Sequence, residues 1–464
     1  MSVLITGGRI ITAADDIVGD ILIEDGRIAL IGRSLRQRAD RVINAAGRYV
    51  LPGCVDPHTH LDMPFGGTVT IDDFTSGHTA AAFGGTTTHI DFCIQSPGQT
   101  FAEALAAWHA KREDAALIDN GFHIAVTDLK EGGSLAELAT LPEQGITSYK
   151  LFMAYKGALM VDDETLFRTM EVASQTGALT MVHAENGDAI DVLVQRALAR
   201  GETAPIFHAR TRPPELEGEA TNRAIQLARI AGAPLYVVHV TCRDAVEPIA
   251  RARAAGWNVF GETCTQYLVI DESALERPDF EGAKYVYSPP ARTKDHQPVL
   301  WDAVRTDALS VISTDHCAFL WQGQKTMGAD DFSKIPNGGP GIENRLHVIH
   351  EVGVRQGHIS LNRMVELLAT NPAKLFGLYP RKGTIAVGSD ADLVIFDPQR
   401  EHTISASTHH SKADYNLYEG MQVTGDVETV LVRGEVVVED GELAVGPGFG
   451  RFIERARFGE RLEP

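Results

Sequence analysis

The sequence predicts an α/β protein: a (β/α)8 barrel joined to a small β-sandwich that the N- and C-terminal segments build together. Three observations predict it. Eight apolar, strand-like runs recur through the middle of the chain. Helix-like stretches with apolar residues at three- and four-residue spacing lie between them. Valine- and isoleucine-rich segments broken by turn residues fill the first fifty residues and return after about residue 390.

The chain opens with VLITGGRIITA and DILIEDGRIALIG, where Asp25-Gly26 supplies the positive φ angles of a two-residue hairpin turn. Residues 1–51 are read as the first part of the sandwich. The barrel is read over 52–380, with runs at VDPHTH (55–60), TTTHIDF (86–92), GFHIAVT (121–127), TSYKLFM (147–153), ALTMVH (178–183), PLYVVH (234–239), NVFGET (258–263) and LSVIST (309–314). FAEALAAWHAKREDAAL, DETLFRTMEVASQTG and EATNRAIQLARIAG carry the helical spacing between runs. Alternation of strand and helix argues for a parallel sheet, and eight such units close a TIM barrel. A doubly wound open sheet would carry a Gly-rich phosphate loop after a strand, and no run is followed by one. DADLVIFDP and VETVLVRGEVVVEDGEL, with turns at Gly434 and Asp440-Gly441, give the second part of the sandwich, 381–443. Residues 444–464 read as an extended tail that either packs on another subunit or frays.

Composition narrows the function. A net charge of -20 repels phosphate backbones and anionic lipid surfaces, so neither nucleic acid nor a membrane is an expected partner. The apolar runs are shorter than a membrane helix requires, and MSVLITGGRIITAADD has neither a basic start nor a secretory cleavage pattern, so a cytoplasmic protein is expected. The five cysteines, Cys54, Cys93, Cys242, Cys264 and Cys317, are scattered and form no CxxC pair. They argue against a disulfide framework and against a thiolate zinc site.

Chemistry-bearing residues stand where the runs end, the face on which such a barrel carries its active site. His58 and His60 flank Thr59, so both rings project the same way from an extended segment and can grip one metal ion. His183 and His239 each form the first polar group after an apolar run. One such histidine is more often a hydrogen-bonded core imidazole; two at equivalent strand ends, beside an HxH pair, point to metal ligation. Asp315 alone would make a good helix N-cap. Beside four strand-end histidines it reads as a ligand and as the base that takes a proton from water. Lys150, inside GITSYKLFMAY, would have its ammonium buried by an extended segment, at a cost that favours a neutral amine or a charged partner. A neutral amine can capture carbon dioxide as a carbamate, whereas a lysine that reaches a carboxylate or snorkels outward is the commoner outcome. His89, His123, His316, His409 and His410 are read as structural.

The motifs LPGCVDPHTHLDMPF, SYKLFMAYKG, MVHAEN, VVHVTC, YVYSPPAR, STDHCAF, KIPNGGPGIENR and PRKGTIAVGSDADLVIFDP follow one another in this order. With them the sequence resembles the amidohydrolase superfamily and, within it, the D-hydantoinase/dihydropyrimidinase branch, over nearly the whole chain. The resemblance implies two divalent ions: His58, His60, Asp315 and Lys150 as N6-carboxylysine on the more buried one, Lys150, His183 and His239 on the other. It implies zinc, with manganese or cobalt also suited to imidazole and carboxylate donors, and carbon dioxide to carboxylate the lysine. It places Tyr155 on the substrate oxyanion, Ser288 and Asn337 against the amide edge of the ring, and Met63, Phe65, Phe152 and Leu159 around the ring substituent. The implied reaction is hydrolytic ring opening of a 5-substituted hydantoin or a 5,6-dihydropyrimidine to an N-carbamoyl amino acid by a metal-bridging hydroxide, in a homotetramer. Dihydroorotase relatives carry arginine, and allantoinase relatives asparagine, where this chain has Asp62, so a neutral ring is expected. The alternatives are an allantoinase-like cyclic ureide hydrolase and a non-catalytic dihydropyrimidinase-like interaction protein; retention of all six ligand types argues for an enzyme.

Overall fold

A computed structural model describes residues 2–461. All eight barrel strands form where the apolar runs predict them: β1 (Cys54–Thr59), β2 (Thr86–Ile94), β3 (Asp119–Ala125), β4 (Ser148–Phe152), β5 (Leu179–His183), β6 (Leu235–Val237), β7 (Val259–Cys264) and β8 (Val311–Ser313). They pair in chain order, in parallel. A parallel bridge between Thr59 and His316 closes the ring between β8 and β1, where the His60 N–H donates to the His316 carbonyl at 2.8 Å. Nearly every strand residue is buried, because helices cover the outer face while side chains fill the inner one. This is why the runs read as continuous apolar stretches rather than alternating ones.

Several helices begin at residues whose side chains cap them. In α1 (Phe74–Phe83), the Asp73 carboxylate accepts the Thr75 and Ser76 amides; in α2 (Phe101–Arg112), Thr100 and Glu103 form a reciprocal capping box. Two further long helices, α3 (Asp163–Thr176) and α4 (Pro214–Ala231), end at Gly177 and Gly232, both left-handed. The periodic stretch of α4 begins at 219, yet the helix starts at Pro214, whose fixed φ suits a first helical residue.

The terminal segments form one continuous, mostly antiparallel nine-stranded sheet. Its two halves join where Tyr49–Pro52 pairs antiparallel with Leu393–Phe396, in the register Leu393 to Pro52 and Phe396 to Tyr49. The sheet encloses its own core of Val3, Ile5, Ile21 and Ile23 from the first half and Leu393, Ile395 and Leu431 from the second. Turn residues act as predicted: Asp25 and Gly26 have φ of 50° and 79°, Asp440 and Gly441 of 52° and 78°. The tail crosses the N-terminal mouth of this chain's own barrel. Phe452 bridges to Asn120, and the buried Arg455 guanidinium donates to the Phe122 carbonyl within β3 and to Ser148 Oγ at the start of β4.

Candidate active site

At the opposite, C-terminal mouth, His58, His60, Lys150, His183, His239 and Asp315 meet, all buried. The strand ladders of β6 and β8 stop early because the chain turns left-handed just beyond them, at His239 (φ 38°) and Asp315 (φ 50°). Left-handed backbone is strained for these residues and is retained where surrounding structure fixes it, commonly at functional sites.

Asp315 Oδ1 lies 3.1 Å from His58 Nε2 and 3.2 Å from His60 Nε2. Two metal–ligand bonds of about 2.0–2.1 Å at a tetrahedral angle hold their donor atoms about 3.3 Å apart, so this trio has the spacing of donors around one ion. Beside it, His183 Nδ1 faces His239 Nε2 at 2.9 Å. Lys150 Nζ, His60 Nδ1 and His239 Nδ1 are buried without a hydrogen-bond partner, a costly state for polar atoms. Donor types, spacing and orphaned atoms together fit a divalent metal centre.

Burial and the neighbouring charges set the protonation of these groups. Burial opposes charge on His58, but the Asp315 and Glu262 carboxylates outweigh it and raise its pKa to about 9. Burial pulls His60 down to about 4. Asp315, despite burial, is held well below the ordinary carboxylate range by the two imidazoles. Lys150 Nζ lies 5.1 Å from the ring centroids of both Phe92 and Phe152, and burial lowers its pKa to about 7 against the pull of Glu262 and Asp315.

Two carboxylates that sequence reading did not single out orient the histidines. Glu262, on β7, accepts from His58 Nδ1, from the Tyr236 hydroxyl at 2.8 Å and from the His239 N–H at 3.2 Å. Glu185 Oε2 lies 2.8 Å from His183 Nε2. Such partners fix which ring nitrogen is free to bind. A lone carboxylate inside the apolar seventh run was the available signal for Glu262; Glu185 had none beyond standing two residues after His183.

The donors open into a small cavity whose apolar wall is Met63, Phe65, Phe152 and Leu159. Tyr155, Ser288 and Asn337 line it too, as does Cys317, which the sequence did not flag. Phe65 sits in a two-stranded ribbon, Pro64–Phe65 with Thr68–Val69, and meets the Tyr155 ring edge-on at 5.3 Å. Tyr155 is left-handed (φ 66°), and its carbonyl accepts the amides of residues 158, 159 and 160, which coils Leu159 back toward the cavity. Burial raises the Tyr155 pKa, so its hydroxyl stays protonated. Ser288 and Asn337 come from separate loops tied by the Gly338 N–H donating to the Val286 carbonyl at 3.0 Å and by one buried side chain. Lys325 Nζ donates to the carbonyls of Val286 at 2.7 Å, Pro336 at 2.7 Å and Gly338 at 2.6 Å.

Asp62 departs from expectation. It does not line the cavity: its backbone is left-handed (φ 48°), and its carboxylate lies 3.8 Å from Lys111 Nζ, which also bonds its carbonyl at 2.5 Å. Along the cavity wall Lys150 is the sole lysine or arginine among the described residues. The histidines read as structural have structural partners: His316 with Asp72, His123 with the Pro57 carbonyl, His89 with Thr59 and His410 with Glu343.

Comparison with known proteins agrees with this architecture. The profile of the amidohydrolase family matches residues 49–437. The chain is 56% identical over 460 residues to a D-hydantoinase of Geobacillus stearothermophilus, spanning 99% of this chain and 98% of that protein. It is 54% identical over 458 residues to a D-hydantoinase of Streptomyces coelicolor, spanning 98% of each. The crystal structure of a dihydropyrimidinase from Brevibacillus agri superposes with a TM-score of 0.98 at 55% identity, spanning 99% of this chain and 100% of the other. A closed parallel barrel, histidines and aspartate at its strand ends, and full-length identity above one half lead to one conclusion: the chain belongs to the amidohydrolase family, in its D-hydantoinase/dihydropyrimidinase branch.

Proposed function

We propose that this protein opens a neutral cyclic amide or imide, a 5-substituted hydantoin or a 5,6-dihydropyrimidine, by hydrolysis to the N-carbamoyl amino acid. The observation that carries the reading is the meeting of six metal-type donors, a protonated tyrosine hydroxyl and an apolar wall in one small cavity. His58, His60, Asp315 and carboxylated Lys150 would hold one divalent ion, and Lys150, His183 and His239 a second, zinc being the first candidate and manganese or cobalt also suited. When bound, such ions supply Lewis acidity, which lowers the pKa of water to about 7 in a well-characterised zinc case and polarises a carbonyl.

The remaining roles fall to the chain. Lys150, drawn toward its neutral amine by burial, can attack carbon dioxide; the new N–C bond forms as a nitrogen proton leaves, and the lysine becomes an anionic carbamate. Asp315, ionised at neutral pH, accepts the proton of the attacking water and delivers it to the leaving ring nitrogen. Tyr155 donates its hydroxyl to the carbonyl oxygen as charge develops, a contact typically worth ~3 kcal/mol of barrier. Main-chain groups at Ser288 and Asn337 hold the amide edge, while Met63, Phe65, Phe152 and Leu159 receive an apolar ring substituent. We read 52–380 as the catalytic unit of a cytoplasmic homotetramer, a reading supported by five free, buried thiols and by the family resemblance.

A parallel turnover assay on dihydrouracil, 5-substituted hydantoins of both hands, allantoin and dihydroorotate, with metal analysis of the same preparation, tests this. Turnover confined to hydantoins and dihydrouracil is expected. Preferred turnover of allantoin or dihydroorotate, or a protein inert after zinc and bicarbonate are supplied, would overturn it.

A further inference from the structure

We propose that His347, His402 and Asp426 form a further divalent transition-metal site, at the seam between the barrel and the nine-stranded sheet. His347 lies on the short helix Arg345–Val348, which packs against the strand Gln422–Val432 carrying Asp426; His402 lies on the adjacent strand Leu393–Thr403. None of the three lines the active-site cavity.

One nitrogen of each imidazole and one carboxylate oxygen lie within 4.8 Å of one another, as in the His58, His60, Asp315 trio. The closest pair, His347 Nε2 and Asp426 Oδ1, is 3.1 Å apart, the same spacing as His58 Nε2 and Asp315 Oδ1. The second nitrogen of His347, Nδ1, is 3.2 Å from the Glu343 carbonyl, which can only accept, so Nδ1 carries the proton. That leaves the Nε2 lone pair aimed at a carboxylate oxygen, an arrangement that needs a cation between them, a proton or a metal ion. Metal-binding histidines are oriented in this way, with the far nitrogen bonded to a carbonyl or carboxylate. His402 adds an independent sign: its Nδ1 is buried with no hydrogen-bond partner, and its ring stands at 88° to that of His347 with centroids 5.2 Å apart. Asp426 keeps two other contacts, from the Val427 N–H to Oδ1 at 3.0 Å and from Arg400 Nε to Oδ2 at 3.2 Å. The first leaves Oδ1 a lone pair and the second leaves Oδ1 free for the ion.

Two imidazoles and one carboxylate suit zinc, and also nickel or copper, and offer too few oxygens for calcium or magnesium. The three donors border a surface cleft that also includes Arg400 and Ser405, so an ion there can exchange with solvent. Bound, it would tie two sheet strands to a barrel helix and raise stability with the logarithm of the free-ion concentration once that exceeds the dissociation constant.

The test compares zinc-loaded wild-type enzyme with His402→Gln. The variant is expected to hold one zinc fewer per chain by elemental analysis, to show a smaller rise in thermal midpoint on adding zinc than the wild type, and to keep its ring-opening turnover. Equal zinc content in both proteins would overturn the site and assign the His347–Asp426 pair to a shared proton. If the variant does not fold, crystals of the unaltered protein grown with zinc decide the matter: an anomalous peak at the zinc edge between His347 Nε2 and Asp426 Oδ1 supports the site, and its absence refutes it.

Discussion

Burial pushes Lys150 and Asp91 toward their neutral forms, with opposite consequences for charge. Replacing Lys150 by alanine is expected to remove bound metal and activity together, with partial recovery on adding a short carboxylic acid; full activity without the acid would sink the carbamate bridge. Asp91 accepts from Thr59 Oγ1 at 2.8 Å, the Leu61 amide at 3.0 Å and Trp108 Nε1 at 3.1 Å, yet burial still lifts its pKa from 3.8 to about 7. Between those values the folded chain holds a proton that the unfolded chain has released, so stability falls as pH rises through the window, by a few kcal/mol in order of magnitude. In Asp91→Asn, the thermal midpoint should vary less between pH 4 and 7 than in the wild type; an unchanged slope would locate that titration elsewhere. The strand-end histidines and Asp315 were legible because each interrupts or ends an apolar run. Glu185 was not, since its role depends on which nitrogen of His183 it meets, and Asp62 misled because a left-handed residue need not face the side its neighbours face.

At the level of elements, the barrel strands were readable because strands buried on both faces must be apolar throughout. Their ends were less so. The runs ending at His239 and at Thr314, just before Asp315, continue past the hydrogen-bonded ladder, and the left-handed turn that stops it leaves no apolar signature. Loop architecture was the least visible, as Lys325 illustrates: a lysine donating to three carbonyls on two distant loops is indistinguishable in sequence from a surface lysine. Its loss would leave the Pro336 and Gly338 carbonyls buried and unpaired, at about 1–3 kcal/mol each, while the Val286 carbonyl keeps the Gly338 N–H, and would loosen the loops carrying Ser288 and Asn337. Lys325→Met should therefore lower the thermal midpoint and raise KM about tenfold, with kcat changed less than about threefold. Unchanged KM in steady-state kinetics would show that the loops keep their places without it.

For the molecule as a whole, the shared texture of the two ends was enough to predict that they pair, though not that hydrogen bonds would fuse them into a single sheet. The tail was read with two outcomes open, because its arginines and glutamates do not reveal that Arg455 enters the lower mouth of the barrel. A chain ending at Leu443 loses that plug and the Phe452 bridge, and its thermal midpoint by calorimetry should drop by about 5 °C or more. An unaltered midpoint would make the tail dispensable to this fold. The join between Tyr49–Pro52 and Leu393–Phe396 also imposes a timetable. Roughly 340 residues separate these strands, so a ribosome adding about 5–20 residues per second completes the first strand some 20–70 s before its partner. Throughout that interval the nascent chain offers an unpaired β edge to its neighbours while the barrel is still being made. Rapid overproduction will therefore fail first through unfinished chains that aggregate along that edge, rather than through finished ones that unfold.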